Sequence, residues 1–267
     1  MQDIRNVIFA DIIDKKFYAH IRADRSGVIS GVSAAQKCAE DLGISLTMRK
    51  TEGNSVLKDE IVAEISAHPM AMAMAEEMLI GALAKASGIA TAARQAVDIA
   101  NNRVKVVAGA WKKMPSEMKS IIRQAVVAGG AAFRISDKPM VYLDKNFIQM
   151  LGSIPKALAS VSHLNDYDKI VQIRAKLPVE TETLQALKYG CTIFMVDTGN
   201  LDDLDICLDT LHKSGSRANV KVAFASEIKI AKIPGLLDKD TDIFCIGKEI
   251  VDAPLLDMRL DVLEGNF

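Results

Sequence analysis

From Asn102 onward, short apolar runs alternate with amphipathic stretches, and that alternation leaves few folds open. Strand-like runs fall at 104–110, 140–144, 170–176, 192–197, 220–226 and 242–247, with helical patterns between them, for instance at 116–127, 180–189 and 201–213. A strand, a helix and a second strand in this order must pair parallel, with a right-handed crossover. Repetition of the unit predicts a (β/α) barrel with fewer than eight strands. No GxGxxG follows the first of these strands, so a dinucleotide-binding sheet has no support.

The first hundred residues read differently. An alternating strand is expected at 15–23, then a helix at 33–43 with Ser33 as its N-cap and Gly43 at its end. Further strands are expected at 44–50 and 61–68. An Ala-, Met- and Glu-rich helix is expected over about 70–100, bent at Ser87-Gly88. Strands beside a packing helix predict a small α+β domain.

Composition narrows the function classes. The formal net charge is −1, and acids and bases alternate without long blocks, so neither a nucleic-acid surface nor a polybasic membrane patch is expected. The four cysteines lie far apart with no CxxC, as expected of reduced thiols in a cytoplasmic protein, and the four scattered histidines give no zinc spacing. No stretch approaches eighteen apolar residues, and the first residues carry Asp3 and Arg5 in place of a signal-peptide core.

In parallel barrels the chemistry sits at the carboxyl ends of the strands. Those ends read Trp111-Lys112-Lys113, Asp144-Lys145-Asn146, Arg174 with Lys176, Asp197-Thr198, Ser226-Glu227 and Gly247-Lys248. Within "IVQIRAK", side chains alternate faces, so Val171, Ile173 and Ala175 share one face and Gln172, Arg174 and Lys176 the other. A cationic row pointing into a barrel is costly unless an anion meets it. Asp197 on the next strand is the internal partner, a ligand is the external one, and an edge strand with a wet face is the plain alternative. Gly247 would let a ligand approach the backbone, with Ser226 and Lys248 beside it as a phosphate cradle. The plain alternative there is a strand-to-helix turn.

The blocks "GVISGVSAAQKCAEDLG", "EEMLIGALAKASGIAT", "QAVVAGGAAFR", "YLDKN", "ALKYGCTIFMVD" and "DIFCIGKEI" stand in an order that resembles the quinolinate phosphoribosyltransferase (nicotinate-nucleotide pyrophosphorylase) family over nearly the whole chain. The resemblance implies a type II phosphoribosyltransferase-like fold. It has a small α/β sandwich, here 1–100, and an incomplete (β/α) barrel, here 101–267, whose C-terminal segment packs back on the first domain. It also implies a homodimer or larger even assembly, a place related to NAD biosynthesis, an anionic or phosphorylated small molecule as ligand, and Mg²⁺ as cofactor.

Residue by residue, the family's basic motif before Pro115 falls on Trp111 and Lys112 or, slid by one, on Lys112 and Lys113. Its Asn-His-Arg falls on Ala132-Phe133-Arg134, its Lys-Asp-Asn on Asp144-Lys145-Asn146, its inward Glu-x-Glu on Arg174-Ala175-Lys176, its Leu-Asp-Asn on Val196-Asp197-Thr198 and its Ser-Gly-Gly on Ala225-Ser226-Glu227. Glu77 stands where the family carries an Arg that reaches across the dimer. The resemblance thus gives Asp197 and Lys112 catalytic roles, with Asp197 also a metal ligand. Lys113, Arg134, Lys145, Arg174, Lys176, Ser226, Gly247 and Lys248 would hold substrate or phosphate. The leading reading is a divergent phosphoribosyltransferase acting on an anionic aromatic or heterocyclic acid. A non-catalytic binding or assembly protein, and a different enzyme using a cationic barrel mouth, stay open beside it.

Overall fold

The computed structural model describes residues 3–263. In chain order the strands are β1 (Phe17–Ala23), β2 (Gly27–Val28), β3 (Ser45–Met48), β4 (Ser55–Val56), β5 (Ile61–Ala67), β6 (Lys105–Val107), β7 (Met140–Leu143), β8 (Asp168–Ile173), β9 (Ile193–Val196), β10 (Lys221–Ala225), β11 (Ile243–Cys245) and β12 (Met258–Val262). The helices are α1 (Arg5–Ile8), α2 (Val32–Asp41), α3 (Pro69–Ala75), α4 (Gly81–Ala100), α5 (Lys119–Ala128), α6 (Lys145–Leu151), α7 (Ile154–Ser160), α8 (Val179–Lys188), α9 (Leu201–Lys213) and α10 (Lys248–Val251). They group into two compact units, and the division is not one cut in the chain: the first takes 3–95, Trp111–Ala131 and 250–263, the second Ala96–Ala110 and Ala132–Glu249. Among the described residues, no helix is long and apolar enough to cross a membrane.

The first unit holds an antiparallel sheet in the order β12-β1-β5-β3. Alternation in β1 turns Ala19, Ile21 and Ala23 inward. They pack with Val62 and Ile65 of β5, Ala35 and Ala39 of α2, and Leu79, Leu83 and Leu256. Each fully buried Leu or Ile in such a core contributes roughly 1.5–3 kcal/mol.

Two local features differ from the sequence expectation. The N-cap of α2 is Gly31, at φ 89, and the Glu52 carboxylate accepts from Gly31 N (3.2 Å) and Val32 N (3.1 Å), so Ser33 is not the cap. The long helix is irregular at Glu76–Ile80, a π-helical turn, and regular through Ser87-Gly88. Ser87 instead exchanges hydrogen bonds with the Ser30 backbone (2.9 and 3.1 Å), and a Cβ at position 88 would lie 2.0 Å from the Pro254 carbonyl oxygen. The glycine there serves close packing.

The second unit is an incomplete parallel barrel. Its sheet runs β6-β11-β10-β9-β8-β7, so the last barrel strand pairs with the first and the sheet curls back toward its start. A parallel bridge from Ala132 to Val107 continues it by one residue pair beyond β6. Val107, Ile170, Ile193, Met195, Ala223, Ala225 and Ile243 fill the interior, with Tyr142 and Cys245 packed against them. The opposite faces carry Val171, Phe194, Val222 and Phe244, all buried, as parallel sheets covered by helices require.

Candidate functional site

The inward face of each barrel strand dictates what stands at its carboxyl end. On β9 the inward residues are Ile193 and Met195, so the next in register is Asp197, one residue past the strand. On β8 the inward row is Ile170, Gln172 and then Arg174, just past Ile173. β10 ends one residue before Ser226.

These side chains converge on the Asp197 carboxylate. Gln172 Nε2 donates to Oδ2, Arg174 Nη1 lies 3.2 Å from the same oxygen, and Ser226 Oγ donates to Oδ1 at 2.5 Å. Arg174 Nη1 also donates to the Asp197 carbonyl oxygen. Gln172 is held in turn by Lys145, whose backbone N–H donates to Gln172 Oε1 at 2.8 Å. The Asp197 side chain is 22% exposed and Arg174 36%. The pair is therefore partly wet, and its net worth is of order 1 kcal/mol. Its importance lies in where it puts charge.

Tyr142, on the inward face of β7, stands in the same field. Burial, first, and then the charges of Asp197, Cys245 and Asp144 push its phenol well above the ordinary range, against a smaller opposing pull from Arg174. Asp144 caps α6, accepting from Asn146 N (2.8 Å) and Phe147 N (3.1 Å).

β8 stops at Ile173, three residues short of the expected end, and Ala175 takes a left-handed φ of 53. Lys176 is thereby turned out of the inward row; it is exposed, and its Nζ donates to Gln149 Oε1 at 3.3 Å. The inward polar row thus keeps Gln172 and Arg174 of the three residues expected there and loses Lys176. Arg134 is exposed and its charge acts on Asp137, whose carboxyl is held low chiefly by its hydrogen bond with Lys105. The Lys145 ammonium is exposed at the start of α6. Gly247 and Lys248 follow β11, and a Cβ on Gly247 would sit 3.3 Å from Ala110 Cβ.

Lys112 and Lys113 occupy a 3₁₀ turn, Ala110–Lys113, and belong to the first unit, where Trp111 lies under the Arg123 guanidinium at 5.0 Å. A polar hollow of about 980 Å³ lies at the opposite, amino ends of the strands, lined by Asp168, Thr192, Arg217, Lys221 and Asp242 among others. Within it, Arg217 pairs with Asp240 and Asp242 at 2.9 Å each.

Among the described residues, no group of three or more His, Cys, Asp or Glu side chains is placed to hold a metal ion. The Asp197 carboxylate already accepts from Gln172 and Ser226 and is ion-paired with Arg174. Mg²⁺ takes one or two carboxylates and fills the rest of its octahedral shell with water or substrate phosphate; here Asp197 is already paired with the Arg174 guanidinium, which disfavours a cation held by the protein at that carboxylate.

Sequence reasoning passed over Gln172 and Tyr142 as site residues, although strand parity marks both. It also passed over Glu182, which no motif marks. Glu182 is 4% exposed, and its carboxylate accepts from Arg174 N (2.9 Å), Ala175 N (3.2 Å), Lys176 N (2.9 Å) and Leu177 N (3.1 Å).

The chain matches two family models, the N-terminal domain of quinolinate phosphoribosyl transferase over residues 3–87 and the C-terminal domain over residues 89–261. A Methanothermobacter thermautotrophicus protein named as a probable nicotinate-nucleotide pyrophosphorylase [carboxylating] is 26% identical, over 98% of each chain. The Rattus norvegicus nicotinate-nucleotide pyrophosphorylase [carboxylating] is 24% identical, over 92% of this chain and 82% of its own. Among solved structures, the Ehrlichia chaffeensis nicotinate-nucleotide pyrophosphorylase superposes with a TM-score of 0.83 at 17% identity, over 98% of this chain and 92% of that one. The Pyrococcus furiosus protein gives 0.82 at 22% identity, over 97% and 72%. At these identities the superpositions speak for the fold.

Proposed function

The chain belongs to the quinolinate phosphoribosyl transferase family, and from that premise we propose that it binds a phosphoribosyl donor and an anionic aromatic or heterocyclic acid at the carboxyl ends of its barrel strands and transfers the phosphoribosyl group to the acid. The observation that carries this reading is the Arg174–Asp197 pair, a cation and an anion fixed side by side at the strand ends. In such a transfer a ring atom of the acid forms a bond to the anomeric carbon. The bond to pyrophosphate breaks, and pyrophosphate leaves with the electron pair. Positive charge grows on the ribosyl carbon and negative charge on the leaving group, so a fixed carboxylate and a fixed guanidinium each have a partner. Arg174 would supply the positive charge that a protein-held divalent cation otherwise brings. Anion binding is then expected to survive chelation and to weaken as salt rises. The working form is a homodimer or larger even-numbered assembly.

The Asp197 carboxylate, already engaged by Gln172, Arg174 and Ser226, favours a second reading, a non-catalytic protein that binds the same anions. One assay separates the two. Purified protein is given phosphoribosyl pyrophosphate with a panel of pyridine and other heterocyclic carboxylic acids, and pyrophosphate release is followed. Release that depends on one acid, and that falls on Asp197→Asn, is the expected result. Binding of phosphoribosyl pyrophosphate by calorimetry without release for any acid would leave the binding reading.

A further inference from the structure

We propose that Glu182 is the positioning residue of the strand-end site: by holding the backbone that follows β8, it aims Arg174 at Asp197. The carboxylate of Glu182, in the first turn of α8, gathers four successive backbone N–H groups, with Arg174 N and Ala175 N on Oε2 and Lys176 N and Leu177 N on Oε1. Successive amides folded around an anion form a nest, and this one is filled from within. The group is nearly fully buried, and an anion there is tolerable only because the four amides replace its water.

The nest explains two features of the chain at this point. Ala175 holds a left-handed φ of 53, which an alanine does not adopt without compensation, and the hydrogen bonds that its own N–H and those of Arg174 and Lys176 donate to Glu182 supply it. Arg174 is fixed at two points, its amide on Glu182 and its guanidinium on Asp197. A long cationic side chain about a third exposed would otherwise prefer water to one geometry, since ordering it costs up to about 2 kcal/mol. Glu182 therefore acts through Arg174, and its reach to the ligand is indirect.

The ligand half of the test rests on the reading proposed above, and the structural half does not. Full-length wild type, Glu182→Gln, Arg174→Gln and the double variant are titrated with inorganic pyrophosphate by calorimetry, and amide hydrogen exchange is followed in parallel. A glutamine turns an NH₂ group toward two of the four amides. Residues 174–177 should then lose protection while β8 and β9 keep theirs. The pyrophosphate dissociation constant should rise at least about tenfold, as for a lost charge-assisted bond. Arg174→Gln should do the same, and the double variant should be no weaker than Arg174→Gln, because both changes remove one function. Unchanged affinity in Glu182→Gln despite lost protection, or losses that add in the double variant, would overturn the proposal.

If wild type takes no pyrophosphate, the ligand reading fails by itself. A crystal structure of Glu182→Gln then decides the positioning role, and Arg174 still bonded to Asp197 would overturn it. Should Glu182→Gln not fold, Glu182→Asp keeps the charge on a shorter stem. Its affinity is expected between wild type and Arg174→Gln, and wild-type affinity would again count against the proposal.

Discussion

Ser226 and Glu227 hold left-handed φ values of 79 and 57 on consecutive positions, where a side chain costs about 1–2 kcal/mol relative to ordinary backbone. Ser226 has a return for that strain, since its hydroxyl donates to Asp197. Glu227 has less: it is exposed, and its charge adds only a minor share to the raised ammonium of Lys229, which Glu249 dominates. Glu227→Gly is therefore expected to stabilise the protein by about 0.5–1 kcal/mol, the steric relief exceeding the entropy that glycine adds to the unfolded chain. Chemical denaturation would show it as a higher midpoint at unchanged slope, and a lower midpoint would mean that the carboxylate has a partner worth more than the strain. The same positions show what a sequence can display. Asp197 and Arg174 were legible because strand parity alone sets which way they point. Glu182 was not, because its partners are backbone amides, which carry no residue identity, brought together by a turn at Ala175 that no residue type announces.

Helix α4 carries glycines with opposite meanings, and propensity cannot tell them apart. Replacing an exposed helical glycine by alanine normally gains about 0.5–1 kcal/mol. At Gly81 a Cβ meets nothing within 4 Å, so Gly81→Ala should realise that gain. At Gly88 the Cβ would stand 2.0 Å from the Pro254 carbonyl oxygen and 3.2 Å from Leu255 Cα, so the helix and the segment before β12 must separate. Gly88→Ala should lose roughly 1–3 kcal/mol or more, overpacking outweighing propensity. Thermal melts of the two variants should move in opposite directions, and a stabilised Gly88→Ala would show that this contact yields easily. Seen from sequence, the Ser-Gly pair is as good a signal for a bend as for close approach. The actual irregularity at Glu76–Ile80 came without a glycine or proline inside it. Repeated βα units were legible because period and order need no side-chain detail. The end of β8 was not, because the alternation of "IVQIRAK" runs on past the residue where the backbone turns. β12 was missed as a strand. Its five residues, Met258-Arg259-Leu260-Asp261-Val262, alternate strictly and could have been read as a strand, but their place on the edge of β1, where Ala23↔Met258 sets the register, is a long-range pairing that alternation does not show.

At the scale of the whole chain, the first residues raise a question of assembly. Ile4, Val7 and Ile8 are 67%, 64% and 64% exposed, and α1 buries none of its residues. Ile13, Tyr18, Met78 and Val262 add further exposed apolar side chains in the same unit. Single exposed apolar residues need no explanation, but a short helix with no buried face gains nothing from its order within one chain. Covering it with a second copy supplies the missing gain. The formal net charge of −1 offers little long-range repulsion to a like partner. A stable interface buries about 1,200–2,000 Å² in all, which a few such side chains reach only together with neighbours on both copies. The expected state is a homodimer or a larger even-numbered assembly at micromolar concentration, read from the mass by light scattering. Val7→Glu with Ile8→Glu changes two exposed positions, so it should leave the melting temperature within about a few degrees of wild type while shifting the mass toward the single chain. A monomeric wild type would defeat the assembly itself. An unchanged mass in the double variant would place the interface away from α1, because two buried carboxylates facing their symmetry mates could not be accommodated without cost.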